Sequence, residues 1–140
     1  MRVPLRLTAC AVAATAPWAL VAPAVGHQTV TDRGTAVTMH VQPDDAPLVG
    51  KPATIVVVKV VPPKGGRFTF GACTTCRLRV ADASGHVLLS KRAASRTSFT
   101  FPKPAAYEIT YSGSYRAKNR KTRTFRASFA IRAYPSAPSQ

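Results

Sequence analysis

Two cysteines three apart, Cys73 and Cys76, are the residues of this chain whose type and spacing best suit chemistry. They stand in Phe-Thr-Phe-Gly-Ala-Cys-Thr-Thr-Cys-Arg-Leu-Arg-Val, residues 68 to 80, which runs into an alternation of Leu78 and Val80 with charged neighbours. A thioredoxin-like redox pair needs a helix starting behind its first cysteine to lower the thiol pKa, and a strand pattern follows instead. A disulfide would close a small loop at a sheet edge and pin the chain as it enters the strand beginning at Arg77. A soft-metal site is the third chemistry: two thiolates suit copper(I) or zinc, and one of His27, His40 and His86 would complete the set. Cys73, Cys76, His27 and His86 are therefore the metal-ligand candidates, with copper as the candidate cofactor, and Cys73 with Cys76 is equally the disulfide candidate. Residues three apart on an extended strand point to opposite faces, so disulfide and metal site both demand a turn at Thr74-Thr75.

His27 has a chemistry of its own. Cleavage of a leader after Gly26 would leave a free amine and an imidazole on one residue, a chelate for copper(II); cleavage after Ala24 would leave His27 as an exposed arm residue. His86 opens a strand just after a turn, where a lone histidine is more often solvated than ligating. Met39 falls at an inward strand position and belongs to the core.

Charge is the other chemical feature. The chain carries 20 Lys and Arg against 5 Asp and Glu. Arg116, Lys118, Arg120, Lys121 and Arg123 cluster in one polar segment and form the candidate site for an anionic surface, with Arg67, Arg77, Arg79, Lys91, Arg92 and Arg96 adding to the field. Lipid head groups and cell-wall polyanions both fit such a field. Nucleic acid is not expected, because the aromatics fall at inward strand positions and do not interleave on the basic face as stacking platforms. No Ser/His/Asp arrangement, carboxylate pair or glycine-rich phosphate loop stands out, so the chain does not read as an enzyme, and no small-molecule substrate is indicated.

Residues 1 to 26 read as a signal peptide: Arg2 and Arg6 precede an apolar run from Leu7 to Ala22, and small residues follow at Ala22-Pro23-Ala24 and Ala24-Val25-Gly26. Retention as a membrane helix is the competing reading, disfavoured by Pro17 and Pro23, and Leu7-Thr8-Ala9-Cys10 sits too early for a lipoprotein cleavage box. Export to the periplasm or cell envelope follows, a compartment that permits disulfides. Removing Arg2 and Arg6 from 20 leaves 18 basic against 5 acidic residues, a mature net charge of +13.

The rest, 27–134, reads as one domain, with 135–140 a flexible Pro/Ser tail. His27 to Gly34 reads as an arm. Period-two alternation or β-branched runs then mark seven strands at Thr35–Val41, Ala53–Val61, Arg77–Asp82, His86–Ser90, Thr97–Phe101, Ala106–Ser112 and Thr124–Ala133. Ala53–Val61 is apolar on both faces, as for a strand covered on both sides. Pro43-Asp44-Asp45-Ala46-Pro47, Pro62-Pro63-Lys64-Gly65-Gly66 and Asp82-Ala83-Ser84-Gly85 are turns, the last a hairpin. Gly113 to Arg123 is a polar loop. Seven short strands separated by Pro and Gly turns predict an all-β, antiparallel, immunoglobulin-like β-sandwich.

Several segments together carry a family likeness: a leader, a His after its small-residue exit, a strand ending in Pro-Asp-Asp, a buried β run, a cysteine-bearing approach to a strand, Leu-Leu-Ser, Phe-Thr-Phe-Pro and Tyr-Glu-Ile-Thr-Tyr-Ser-Gly. With them the chain resembles small exported immunoglobulin-like proteins of the YtkA-like and CopC-like kind, several of which are linked to copper. The resemblance spans most of 27–133 and implies the same fold and a copper-ligand role for His27. The Asp-x-His pair of CopC-like proteins has no counterpart, Asp82 and His86 being four apart. The sequence thus points to an exported binding module handling copper or another soft metal through the Cys73/Cys76 corner. The alternative is an envelope structural or adaptor domain with a structural disulfide and a basic face that binds anionic surfaces.

Overall fold

A computed structural model describes residues 27–93 and 95–137; the leader expected over 1–26 lies outside them. Eight strands run in the order β1 (Gln28–Asp32), β2 (Thr35–Gln42), β3 (Pro52–Val61), β4 (Arg77–Asp82), β5 (Val87–Arg92), β6 (Arg96–Thr100), β7 (Ala106–Arg116) and β8 (Thr122–Arg132). They form two antiparallel four-stranded sheets, β1-β2-β3-β6 and β5-β4-β7-β8. Their inner faces share one core, to which Met39, Ile55 and Phe101 contribute from the first sheet side and Leu78, Ile109, Tyr111 and Phe129 from the second. No helix occurs among the described residues.

Alternation explains this core directly. Val37, Met39 and Val41 on β2, Tyr107, Ile109 and Tyr111 on β7, and Phe125, Ala127, Phe129 and Ile131 on β8 are all buried, as period-two projection requires. Phe99 and Phe101 share a side and meet edge to face at 4.8 Å.

Three expectations are corrected. The segment His27–Gly34 is more than an arm: Gln28–Asp32 pairs along its whole length with β2. Its alternation, Val30 in and Thr29 and Thr31 out, is too short and polar to announce a strand, and the turn rests on Arg33 and Gly34, both at positive φ (48° and 83°). The polar loop shrinks to 117–121, because β7 continues to Arg116 and β8 begins at Thr122. Cross-strand pairing carries this polar hairpin where an apolar face is lacking. Finally, β3 is covered on one side only. Ala53, Ile55, Val57 and Val60 point inward, while Val58 and Val61 on the outer face are 41% and 48% exposed. The ladder with β2 steps from Lys59 to Val57, so Val58 forms a β-bulge that re-phases the strand and returns Val60 to the core.

The turns behave as their residues dictate. Asp45 accepts from the Val41 amide at 2.6 Å and closes the end of β2. Asp82 accepts from the Ser84 and His86 amides and from the Ser84 hydroxyl, with Gly85 at φ 86°, which makes the β4–β5 hairpin. The chain end is tied as far as it is described: Tyr134 bridges Leu48, and the Ser136 hydroxyl donates to the Val49 carbonyl at 2.5 Å.

Candidate functional site

The long connection from β3 to β4 folds back onto the β7–β8 hairpin, and this junction holds most of the sequence-marked residues. Arg67 and Arg116 exchange backbone hydrogen bonds at 2.7 and 3.1 Å. Gly65 lies so close to the hairpin that a Cβ there would stand 2.9 Å from the Lys118 side chain, and its φ of 86° suits glycine. A bulkier residue would push loop and hairpin apart.

Cys73 and Cys76 are bonded to each other at 2.05 Å across a turn at Thr74-Thr75. Cys76 is buried and Cys73 half-buried. Both sulfurs rest on Gly113 of β7, where an added Cβ would sit 2.5 Å from Cys76 Sγ, 3.0 Å from Cys73 Sγ and 3.2 Å from the Phe125 ring. Phe68 and Phe70, from the same connection, pack edge to face with each other, and Phe68 reaches Phe125 at 5.7 Å. The half-buried aromatics thus seat the disulfide loop on the end of the core.

Each thiol is spent on the other, so metal ligation by this pair would first require its reduction. The proposed histidines are elsewhere. His86 follows the turn at the far end of β4 from Cys76, about 17 Å along a six-residue strand. His27 and His40 lie at the other end of β1 and β2 from Asp32 and Arg33, the residues that share a cleft with Thr75. Among the described residues no three His, Cys, Asp or Glu side chains converge.

Arg116, Lys118, Arg120, Lys121 and Arg123 do come together, at the tip of the β7–β8 hairpin and all exposed. The Arg116 guanidinium donates to the Arg120 carbonyl at 3.0 Å, and Arg120 takes φ 65° in the turn. The opposing loop adds Lys64 and Arg67. Two adjoining clefts result, sharing Tyr115. One, of about 540 Å3, is lined by Pro63, Lys64, Tyr115, Lys118, Asn119 and Arg123 among others. The second, of about 530 Å3, is lined by Arg67, Arg116, Cys73 and the hydroxyl residues Thr69, Thr74, Thr75, Ser114 and Thr122 among others. Thr75 and Ser114 hydroxyls are bonded across it at 2.7 Å. Neither cleft has an Asp or Glu in its lining. The ion pair found among the described residues, Arg79 with Glu108 at 3.9 Å, is on the outer face of the sheet, and these cations have no carboxylate partner there.

Lys64, Gly65, Tyr115 and Gly113 are contributions that the sequence alone does not reveal. A Pro/Gly loop and a hairpin tip well separated in the chain acquire a common role only when folding stacks them. The run of cations was visible; the concavity was not. Comparison with protein-family models, with curated proteins and with solved structures finds no match.

Proposed function

We propose that this chain is an exported envelope adaptor domain that holds anionic surfaces with the basic end formed by the β3–β4 connection and the β7–β8 hairpin. The carrying observation is the pair of acid-free clefts on either side of Tyr115, walled by Lys64, Lys118 and Arg123 and by Arg67 and Arg116. Closely spaced phosphates or carboxylates are the matching chemistry, from lipid head groups or from wall polyanions. Guanidinium groups supply forked donors for such oxygens, and lysines supply mobile point charges. On this reading the disulfide is structural: it holds the Cys73–Thr75 wall of the second cleft against Gly113.

The immunoglobulin-like reading is supported by two features. The strand orders β1-β2-β3-β6 and β5-β4-β7-β8 are those expected if β2, β3 and β6 correspond to strands A, B and E and β4, β7 and β8 to C, F and G, with β5 beside β4. The Tyr107 hydroxyl donates to the Lys103 carbonyl at 2.7 Å and accepts from the Lys103 amide at 3.1 Å, at the place where such domains carry a tyrosine corner.

The test is sedimentation of the purified chain with vesicles of anionic lipid and, separately, with an isolated wall polyanion. Binding to at least one is expected, falling as salt rises because exposed charges are screened over about 10 Å at 0.1 M. Reversing Lys118, Arg120, Lys121 and Arg123 to Glu should abolish it, while reversing Lys91 and Arg92 on β5 should not. Binding that ignores salt, or that survives the hairpin reversal, would refute the proposal.

A further inference from the structure

Two histidines far apart in sequence meet on the outer face of the β1-β2-β3-β6 sheet. Gln28 pairs with Met39, so the antiparallel register continued by one residue sets His27 opposite His40. Their rings stack with centroids 4.4 Å apart and planes 24° from parallel. The neighbouring outward rung is locked by a hydrogen bond between the Thr29 and Thr38 hydroxyls at 2.9 Å, which fixes the registry of the two strands beside the rings.

We propose that His27 and His40 form a two-imidazole site for one divalent transition-metal ion, independent of the Cys73–Cys76 corner and of the basic end. Two nitrogens bound at the tetrahedral angle to a single ion, at about 2.1 Å each, lie about 3.4 Å apart. Because imidazole lone pairs lie in the ring plane, at least one of the stacked rings turns out of the stack about its side-chain torsions to bring both nitrogens onto the ion. Directly opposed residues of an antiparallel pair have Cβ atoms roughly 4.5–5.5 Å apart, so the backbone holds both ligands ready. His27 is exposed and His40 half-buried, leaving the open side of the ion to water. Imidazole suits zinc, copper and nickel and not magnesium or calcium. A nearby Arg96, donating to Gln42 at 3.3 Å, adds positive charge to this face, so the ion is held by direct ligation to nitrogen and not by a surrounding field.

The experiment is calorimetric titration of the full chain with zinc and with nickel, in a Cys10→Ser background without reductant, so that no free thiol competes. One ion per chain is expected. His27→Ala and His40→Ala should each weaken binding on the order of tenfold or more, and the double variant should lose little beyond either single one, because the two rings act as one site. His86→Ala serves as the control and should bind as the parent does. Circular dichroism checks the strand content of each variant, and His40→Gln replaces His40→Ala if the latter fails to fold. Unchanged affinity in both variants, or an equal loss in His86→Ala, would overturn the site.

Discussion

Gly113 is where the disulfide and the core meet, and a single methyl group tests that fit. Its Cβ would lie 2.5 Å from Cys76 Sγ, so Gly113→Ala is expected to destabilise the protein by about 1–3 kcal/mol through overpacking. Denaturant unfolding measures the loss. The cost should shrink in a Cys73→Ala/Cys76→Ala background, and an undiminished cost there would place its origin elsewhere. Tyr111 offers a titration at the same scale. Burial of its phenol pushes the pKa up to about 12. A folded value above the unfolded one means that the neutral phenol's contribution is complete below the unfolded pKa of about 10. It is lost as pH rises from there through the folded value. Tyrosinate absorbance from Tyr111 should therefore develop above the pH at which a free phenol ionises, and a Tyr111→Phe variant should lack that late component. Asp82 works in the opposite direction: hydrogen bonding, chiefly from the Ser84 hydroxyl, holds its carboxyl below the ordinary range. The folded pKa being depressed, its contribution is present above the unfolded pKa of about 3.9 and is lost as pH falls through the folded value. Asp82→Asn should flatten the acid limb of the stability profile.

Elements carry the next set of expectations. The disulfide closes a loop of only a few residues, for which chain entropy gives a stabilisation of roughly 2 kcal/mol. Cys73→Ser/Cys76→Ser is thus expected to lower stability by about that amount and leave the two sheets standing. Because Cys73, Thr74 and Thr75 line one of the basic clefts, the anion binding proposed for that end should weaken in the same variant. Hydrogen exchange would locate the loosening in residues 67–76, and loss of all protected amides would contradict a local role. At the β6–β7 corner, Tyr107→Phe removes both hydrogen bonds to Lys103 and should cost about 1–3 kcal/mol, since it leaves the Lys103 groups to find other partners. Thermal unfolding checks this value.

At the scale of the whole molecule, positive charge and two sheets with a shared interior divide the work. The inner faces are apolar and supply the main favourable contribution to stability, while the outer faces and the hairpin tip carry the cations. Outer-face Val58 and Val61 are correspondingly unburied, so Val58→Thr and Val61→Thr are expected to change stability by less than about 0.5 kcal/mol, against about 2–5 kcal/mol for Ile55→Ala inside. Comparable losses at both kinds of position in denaturant titration would mean that something covers this face.

Strand content, the inward sets on β2, β7 and β8 and the Asp82-Gly85 hairpin could be read from residue order, because period-two alternation and turn chemistry are local properties of the chain. The same holds for the turn at Thr74-Thr75, which follows from the reach of two sulfurs. What the order of residues left undecided was between partners distant in sequence. The disulfide was one of three chemistries until folding brought both sulfurs together against Gly113. The polar strand β1 exists because β2 offers it a hydrogen-bonded edge. The bulge at Val58 follows from the need to return Val60 to a core that only the second sheet completes. Likewise the basic run became a cleft, and His27 a neighbour of His40, through stacking and register. Those are fixed by burial and pairing across the whole chain, which no local pattern encodes.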